Sequence, residues 1–183
     1  MSDREQRSVK WVEEQLAGGG FGDFRWIDPS ELVVANWVRV KCMYGCPEYG
    51  KNLSCPPNVP GVAECREFFA EYKRAALIHM TCHIPFEKKR QWDVATQEKL
   101  LDIEKRVFLH GFERAFLLSF DSCNLCPECP PREEGCNYPI RRRPTIEAFG
   151  VDLFSSVRKF GYTLVVKKDH SEPTDRFALL LVE

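Results

Sequence analysis

Seven of the nine cysteines in this 183-residue chain fall into two tight groups, Cys42-x3-Cys46-x8-Cys55 and Cys123-x2-Cys126-x2-Cys129-x6-Cys136. Gaps of two and three residues leave too little chain for the sulfurs to separate. Each group is therefore expected to turn its thiols into one hollow, and thiolates gathered this way hold a soft metal centre. Whatever fold the chain adopts must supply two cysteine loops, at residues 42–57 and 123–139, on a scaffold that holds them still.

Disulfides are the competing use of cysteine. Nine is odd, so complete intrachain pairing is impossible. The opening run Met1-Ser2-Asp3-Arg4-Glu5-Gln6-Arg7 lacks the apolar stretch of a secretion signal. No apolar run approaches the ~18–20 residues of a membrane-spanning helix. A cytoplasmic, reducing setting is the expectation, and there clustered cysteines serve metals. With 44% hydrophobic residues the chain can build a core without metal staples. Lys and Arg total 26 against 27 Asp and Glu, a balance with no general pull toward nucleic acid or a membrane surface.

Periodicity places the elements. A helix is predicted over residues 2–17, ended by Gly18-Gly19-Gly20, and short strands over 24–27 and 37–40. Helices follow at 60–72 and 89–110, with Leu100, Ile103 and Val107 inward on the second, and apolar strands at 75–82 and 115–120. Residues 144–160 read as a further helix, and 162–166 with 177–182 as a closing hairpin around the polar turn 167–175. The order implies a single domain over residues 1–183. It is an α+β (or α/β) sandwich with helices packed on a mixed sheet of about four to five strands and two cysteine-rich loops.

Three cysteines at successive x2 spacing suit a cubane: one loop covers three corners of a [4Fe–4S] cluster and a later cysteine, here Cys136, covers the fourth. Structural zinc is the alternative and more often uses two separated C-x2-C knuckles. Arg141, Arg142 and Arg143 follow directly. Guanidinium groups there would stabilise an anionic cluster or dock an acidic partner or phosphate-bearing ligand, or they form a solvated basic turn. Cys42, Cys46 and Cys55 supply three thiolates, which leaves a coordination position open for a small-molecule ligand. Their spacing departs from the C-x3-C-x2-C of radical-SAM enzymes. Cys65 and Cys82 read as core residues, His79 and His83 as hydrogen-bonded strand residues that could also offer a nitrogen ligand, and Glu147 and Asp152 as helix-start carboxylates.

The run Cys42-x3-Cys46-Pro47-Glu48-Tyr49-Gly50-Lys51-Asn52-Leu53-Ser54-Cys55-Pro56-Pro57 resembles the first signature of the prokaryotic predicted metal-binding proteins, an uncharacterised domain-of-unknown-function family of bacteria and archaea. Cys123-x2-Cys126-x2-Cys129-x6-Cys136-x2-Pro139 resembles its second signature. Arg143-Pro144-Thr145-Ile146-Glu147-Ala148-Phe149-Gly150-Val151-Asp152 resembles the segment beyond, with Thr145 and Ile146 where the family has serine and methionine. The resemblance runs from about residue 37 to 161. It implies metal binding and no particular activity.

The resulting expectation is an iron–sulfur protein with one or two [4Fe–4S] clusters, delivering electrons or redox maturation to a partner protein. A zinc-stabilised interaction module and an enzyme with an open metal position at the first group are the alternatives.

Overall fold

The computed structural model describes residues 3–166, 169 and 173–183. Its centre is a four-stranded sheet of β1 (Phe24–Ile27), β2 (Ala75–Cys82), β3 (Phe116–Leu118) and β4 (Thr174–Leu181), in the order β1-β2-β4-β3. Every strand pair is antiparallel, so the sheet is not mixed. Among the described residues the only parallel pairing is an isolated bridge from Ser119 to Thr145. Five α-helices pack on it: α1 (Asp3–Gly18), α2 (Asn36–Gly45), α3 (Val62–Ala70), α4 (Phe86–Leu109) and α5 (Leu153–Lys159). The fold is α+β.

Side chains on a strand alternate between faces, and here both faces are covered. Ala76, Ile78 and Met80 of β2 with Ala178 and Leu180 of β4 meet Val12 and Leu16 of α1 and Leu100, Ile103 and Val107 of α4. Ala75 and Leu77 with Phe177, Leu179 and Leu181 meet Cys65 and Phe69 of α3 and Val157 of α5. Burial on both sides explains why the two central strands read as apolar runs rather than alternating patterns.

Three further sequence expectations change. Residues 37–40 lie in helix α2, not a strand. Val38 and Cys42, one helical turn apart, face inward, while Trp37 and Val40 are about half exposed. A four-residue alternation is too short to outweigh that contact pattern. The helix expected over 144–160 is broken at Gly150, which takes the left-handed conformation at φ +78°. A Cβ there would stand 3.2 Å from Val62, so glycine is required by both backbone and space. Val151 then bridges to Val34, and Asp152 starts α5 by accepting from Ser155 N at 3.1 Å. The terminal hairpin does not form, because β4 is inserted between β2 and β3 and has no edge left for residues 162–166. Residues 167, 168 and 170–172 of the expected turn lie outside the described residues.

The sheet leaves both cysteine loops at one end. β3 leads through Ser119 and Phe120 into the second loop, and α2 leads into the first.

Candidate metal centre

Helix α2 carries Cys42 in its last turn and ends at Cys46, whose N–H donates to Cys42 O at 3.3 Å. The i, i+4 relation puts both thiols on one face. The chain then folds back on itself: Tyr49 N donates to Cys46 O at 3.2 Å, Gly50 N to Pro56 O at 2.9 Å and Cys55 N to Asn52 O at 3.0 Å. Gly50, at φ +76°, permits the reversal. Cys55 ends up buried, Cys42 half-buried and Cys46 exposed. Burial pushes the Cys55 thiol up to about 12, and the neighbouring Cys46, Glu48, Cys42 and Cys123 push the same way. Burial and Cys46 also raise Cys42, against the opposing charge of Arg39.

The second group surrounds a cavity of about 750 Å³ whose walls include Cys123, Cys126, Cys129 and Cys136, together with Asn52, Leu53 and Arg142. All four sulfurs have a polar neighbour. Leu53 N donates to Cys129 Sγ at 3.5 Å, Asn137 Nδ2 to Cys126 Sγ at 3.6 Å and Tyr138 N to Cys136 Sγ at 3.4 Å. Burial raises Cys123; a backbone N–H bond from Leu125 opposes that, while Cys136 and Cys126 add to it. N–H groups aimed at cysteine sulfur are the outer-shell contacts that tune thiolate-ligated iron. The donor set therefore fits a thiolate-bound centre. Among the described residues no three His, Cys, Asp or Glu side chains converge closely enough to chelate one ion.

Helix α4 holds this loop through contacts that the expectations above did not include. Arg90 Nη2 donates to the carbonyls of Asn124 at 3.2 Å and Cys126 at 2.5 Å. Gln97 Oε1 accepts from Asn124 N at 3.5 Å. Lys89 Nζ reaches Asp93 at 2.5 Å and Asp121 at 2.6 Å, and Arg176 stands 3.5 Å from Asp121. Lys89, Asp93 and Gln97 recur at i, i+4, i+8, a polar line beside an apolar one. That spacing is the signal a sequence reading could have used.

The three arginines separate. Arg142 lines the cysteine cavity and donates to Leu53 O at 3.2 Å. Arg141 turns to the surface and pairs with Glu98 at 3.3 Å. Arg143 turns inward, where Nε lies 2.9 Å from both oxygens of Glu104. Cys65 is fully buried in the core with its thiol against Pro60 O at 3.6 Å, and burial pushes that thiol up to about 11. Cys82 is buried on the sheet, and His83 is exposed. His110 caps α4 and stacks on Trp11 with ring centres 3.8 Å apart. Asp152 serves as a helix cap. Glu147 lies near Cys42; burial raises its carboxyl, with backbone and Thr145 hydrogen bonds opposing.

His79 belongs to a separate polar tie. Its Nδ1 lies 2.6 Å from Asp23 and its Nε2 3.1 Å from Asp175, and Tyr162 donates to Asp23 at 2.8 Å. Burial raises the Asp23 carboxyl, but the hydrogen bonds from His79 and Tyr162 outweigh it and hold it below the ordinary carboxylate value. A depressed carboxylate adds stability above its unfolded value and loses it as pH falls through the folded one. The stability advantage of wild type over Asp23→Asn is thus expected at pH 7 and to shrink below about pH 4. Urea midpoints at pH 3 and pH 7 test this, and a constant gap would contradict it.

No helix of the described residues is long and apolar enough to cross a membrane. No curated protein and no solved structure matches the chain. Residues 25–182, which hold both cysteine groups and nearly all of the sheet, match the family model described as Predicted metal-binding protein (DUF2284), and the chain belongs to that family.

Proposed function

We propose that this protein is an iron–sulfur protein. Cys123, Cys126, Cys129 and Cys136 would hold a [4Fe–4S] cluster, and Cys42, Cys46 and Cys55 a second centre with an open position. Its role would be electron delivery, or redox maturation, for a cytoplasmic partner protein. The observation that carries this reading is the second loop: four cysteines line one cavity, with N–H donors directed at three of their sulfurs. A polynuclear cluster spreads its ligands around a volume, whereas a single tetrahedral zinc draws four donors to one point.

When bound, such a cluster supplies one-electron chemistry. The chain's own part is to exclude water, set the charge and position the sulfurs. Arg142 brings a guanidinium to the cavity wall, where positive charge favours the reduced, more anionic state. Leu53, Asn137 and Tyr138 donate to sulfur and draw charge off it in the same sense. Asn52 and Arg90 hold the backbone of Cys123 and Cys126.

Anaerobic purification tests the assignment. The expected product is brown, absorbs broadly near ~400 nm, and carries iron and acid-labile sulfide in similar amounts. A colourless protein with stoichiometric zinc would replace the proposal with the zinc-stabilised module.

A further inference from the structure

The two cysteine groups are joined by a short stretch that contains no cysteine. Asn52 is only 4% exposed, and both ends of its side-chain amide are engaged. Nδ2 donates to the carbonyl of Cys123 at 3.1 Å, and Oδ1 accepts from Ser54 N at 2.8 Å. The next residue continues the link. Leu53 N donates to Cys129 Sγ at 3.5 Å, and Leu53 O accepts from Arg142 at 3.2 Å. The same stretch is tied to the first group, since Cys55 N donates to Asn52 O at 3.0 Å and Asn52 N to Glu48 O at 3.2 Å. Cys46, Cys42 and Cys123 also stand close enough to Cys55 to influence its thiol. Residues 47–54 thus touch both groups.

We propose that the two cysteine groups are one linked metal site, and that Asn52 is the positioning residue that couples them. This inference rests on the metal-binding reading above and adds how the two groups depend on each other. Metal held by Cys42, Cys46 and Cys55 fixes both ends of the 46–55 turn. Once fixed, the turn presents the Asn52 amide to Cys123 and the Leu53 N–H to Cys129, so the second group meets its metal already arranged. By linkage the benefit is mutual: metal in the second group must tighten the first by the same factor. An asparagine suits the position because one side needs a donor and the other an acceptor two bonds apart. Aspartate keeps the acceptor for Ser54 N but sets an oxygen against Cys123 O.

The test uses metal-free protein titrated with Co2+ under argon and follows thiolate-to-cobalt absorption. Iron and sulfide reconstitution is run in parallel. The phase belonging to the second group is the one that disappears in Cys126→Ser/Cys129→Ser. Asn52→Asp is expected to weaken that phase by about 10–100-fold, the usual effect of removing a partner just outside the ligand shell. Cys42→Ser/Cys46→Ser should weaken it comparably. The three changes combined should lose no more than the larger single effect, because all act through one link. Asn52→Ala provides a second variant, and circular dichroism of each metal-free variant confirms that it folds. Asn52 variants that titrate like wild type, or effects that multiply in the combination, would overturn the coupling. Wild type that binds Co2+ without forming a cluster would remove the iron–sulfur reading alone, and the cobalt curves would still decide the coupling. Wild type that binds no metal would overturn both.

Discussion

Glu104→Ala is expected to destabilise the folded protein by about 3–5 kcal/mol, the range for removing one partner of a buried ion pair. Glu104 is 4% exposed in the middle of α4. Its carboxylate takes Arg143 Nε at 2.9 Å on both oxygens, Arg143 Nη2 at 2.9 Å, and the N–H of Leu117 at 3.0 Å. Alanine would leave a guanidinium without its counter-charge and a buried strand N–H without an acceptor. Arg143 could not simply swing to solvent. It stands over the Phe116 ring at 5.3 Å and donates to the carbonyls of Ile140 and Arg142 at 2.9 and 2.8 Å. In a chain of this size the loss corresponds to a Tm lower by roughly 10 °C. Glu104→Gln keeps the Leu117 acceptor and should lose less, about 1–3 kcal/mol. The pair Glu104→Met/Arg143→Met should recover much of the alanine loss, because it leaves neither charge stranded. Urea unfolding of the four proteins measures each value. A loss below about 1 kcal/mol for alanine would show that water reaches the pair.

Glu104 also marks where sequence reasoning stops. Its place one turn after Leu100 puts it on the inward face of α4, opposite Glu98 at the surface, but periodicity does not name its partner. That partner is Arg143, 39 residues further on. The arginine run could be read as a unit, but the backbone turn there sends Arg141 outward, Arg142 to the cavity and Arg143 inward.

The cysteine groups were legible because their information is local: short spacing alone constrains where sulfurs can go. The α+β class was legible for a related reason, since the apolar stretches 75–78 of β2 and 177–181 of β4 and a long helix with inward Leu100, Ile103 and Val107 stand out against their context. What failed was short or non-local. Residues 37–40 alternate convincingly yet are helical, because Val38 and Cys42 need the same inward side. The break at Gly150 depends on Val62 packing against it, 88 residues away in sequence terms (150 less 62). Asn52, Leu53, Arg90 and Gln97 hold the second loop across separations of 27 to 76 residues, and helical spacing marks a polar line on α4 without naming these partners.

Cys129→Ser is expected to strip most of the metal bound by the second group, while Cys65→Ser keeps full metal content. Cys129 faces the 750 Å³ cavity with Leu53 N–H on its sulfur, and a serine hydroxyl there is a poorer, harder ligand for iron. Cys65 lies in the core with its thiol against Pro60 O, so its replacement changes packing alone. The same contrast has a pH signature. In the metal-free protein, burial holds Cys55, Cys42 and Cys123 protonated, with Cys55 pushed up to about 12. A thiol whose folded value is raised contributes stability below its unfolded value, near ~8.5, and loses it as pH climbs toward the folded one. Metal-free protein should therefore lose stability from about pH 9 upward. Metal requires the thiolate form, so loading must release those protons and should strengthen as pH rises from 6 to 8. Calorimetric Co2+ titrations in buffers of different ionisation heat count the protons released, and Cys129→Ser should lower the count while Cys65→Ser leaves it unchanged. Equal counts in the two variants would mean that Cys129 does not ligate.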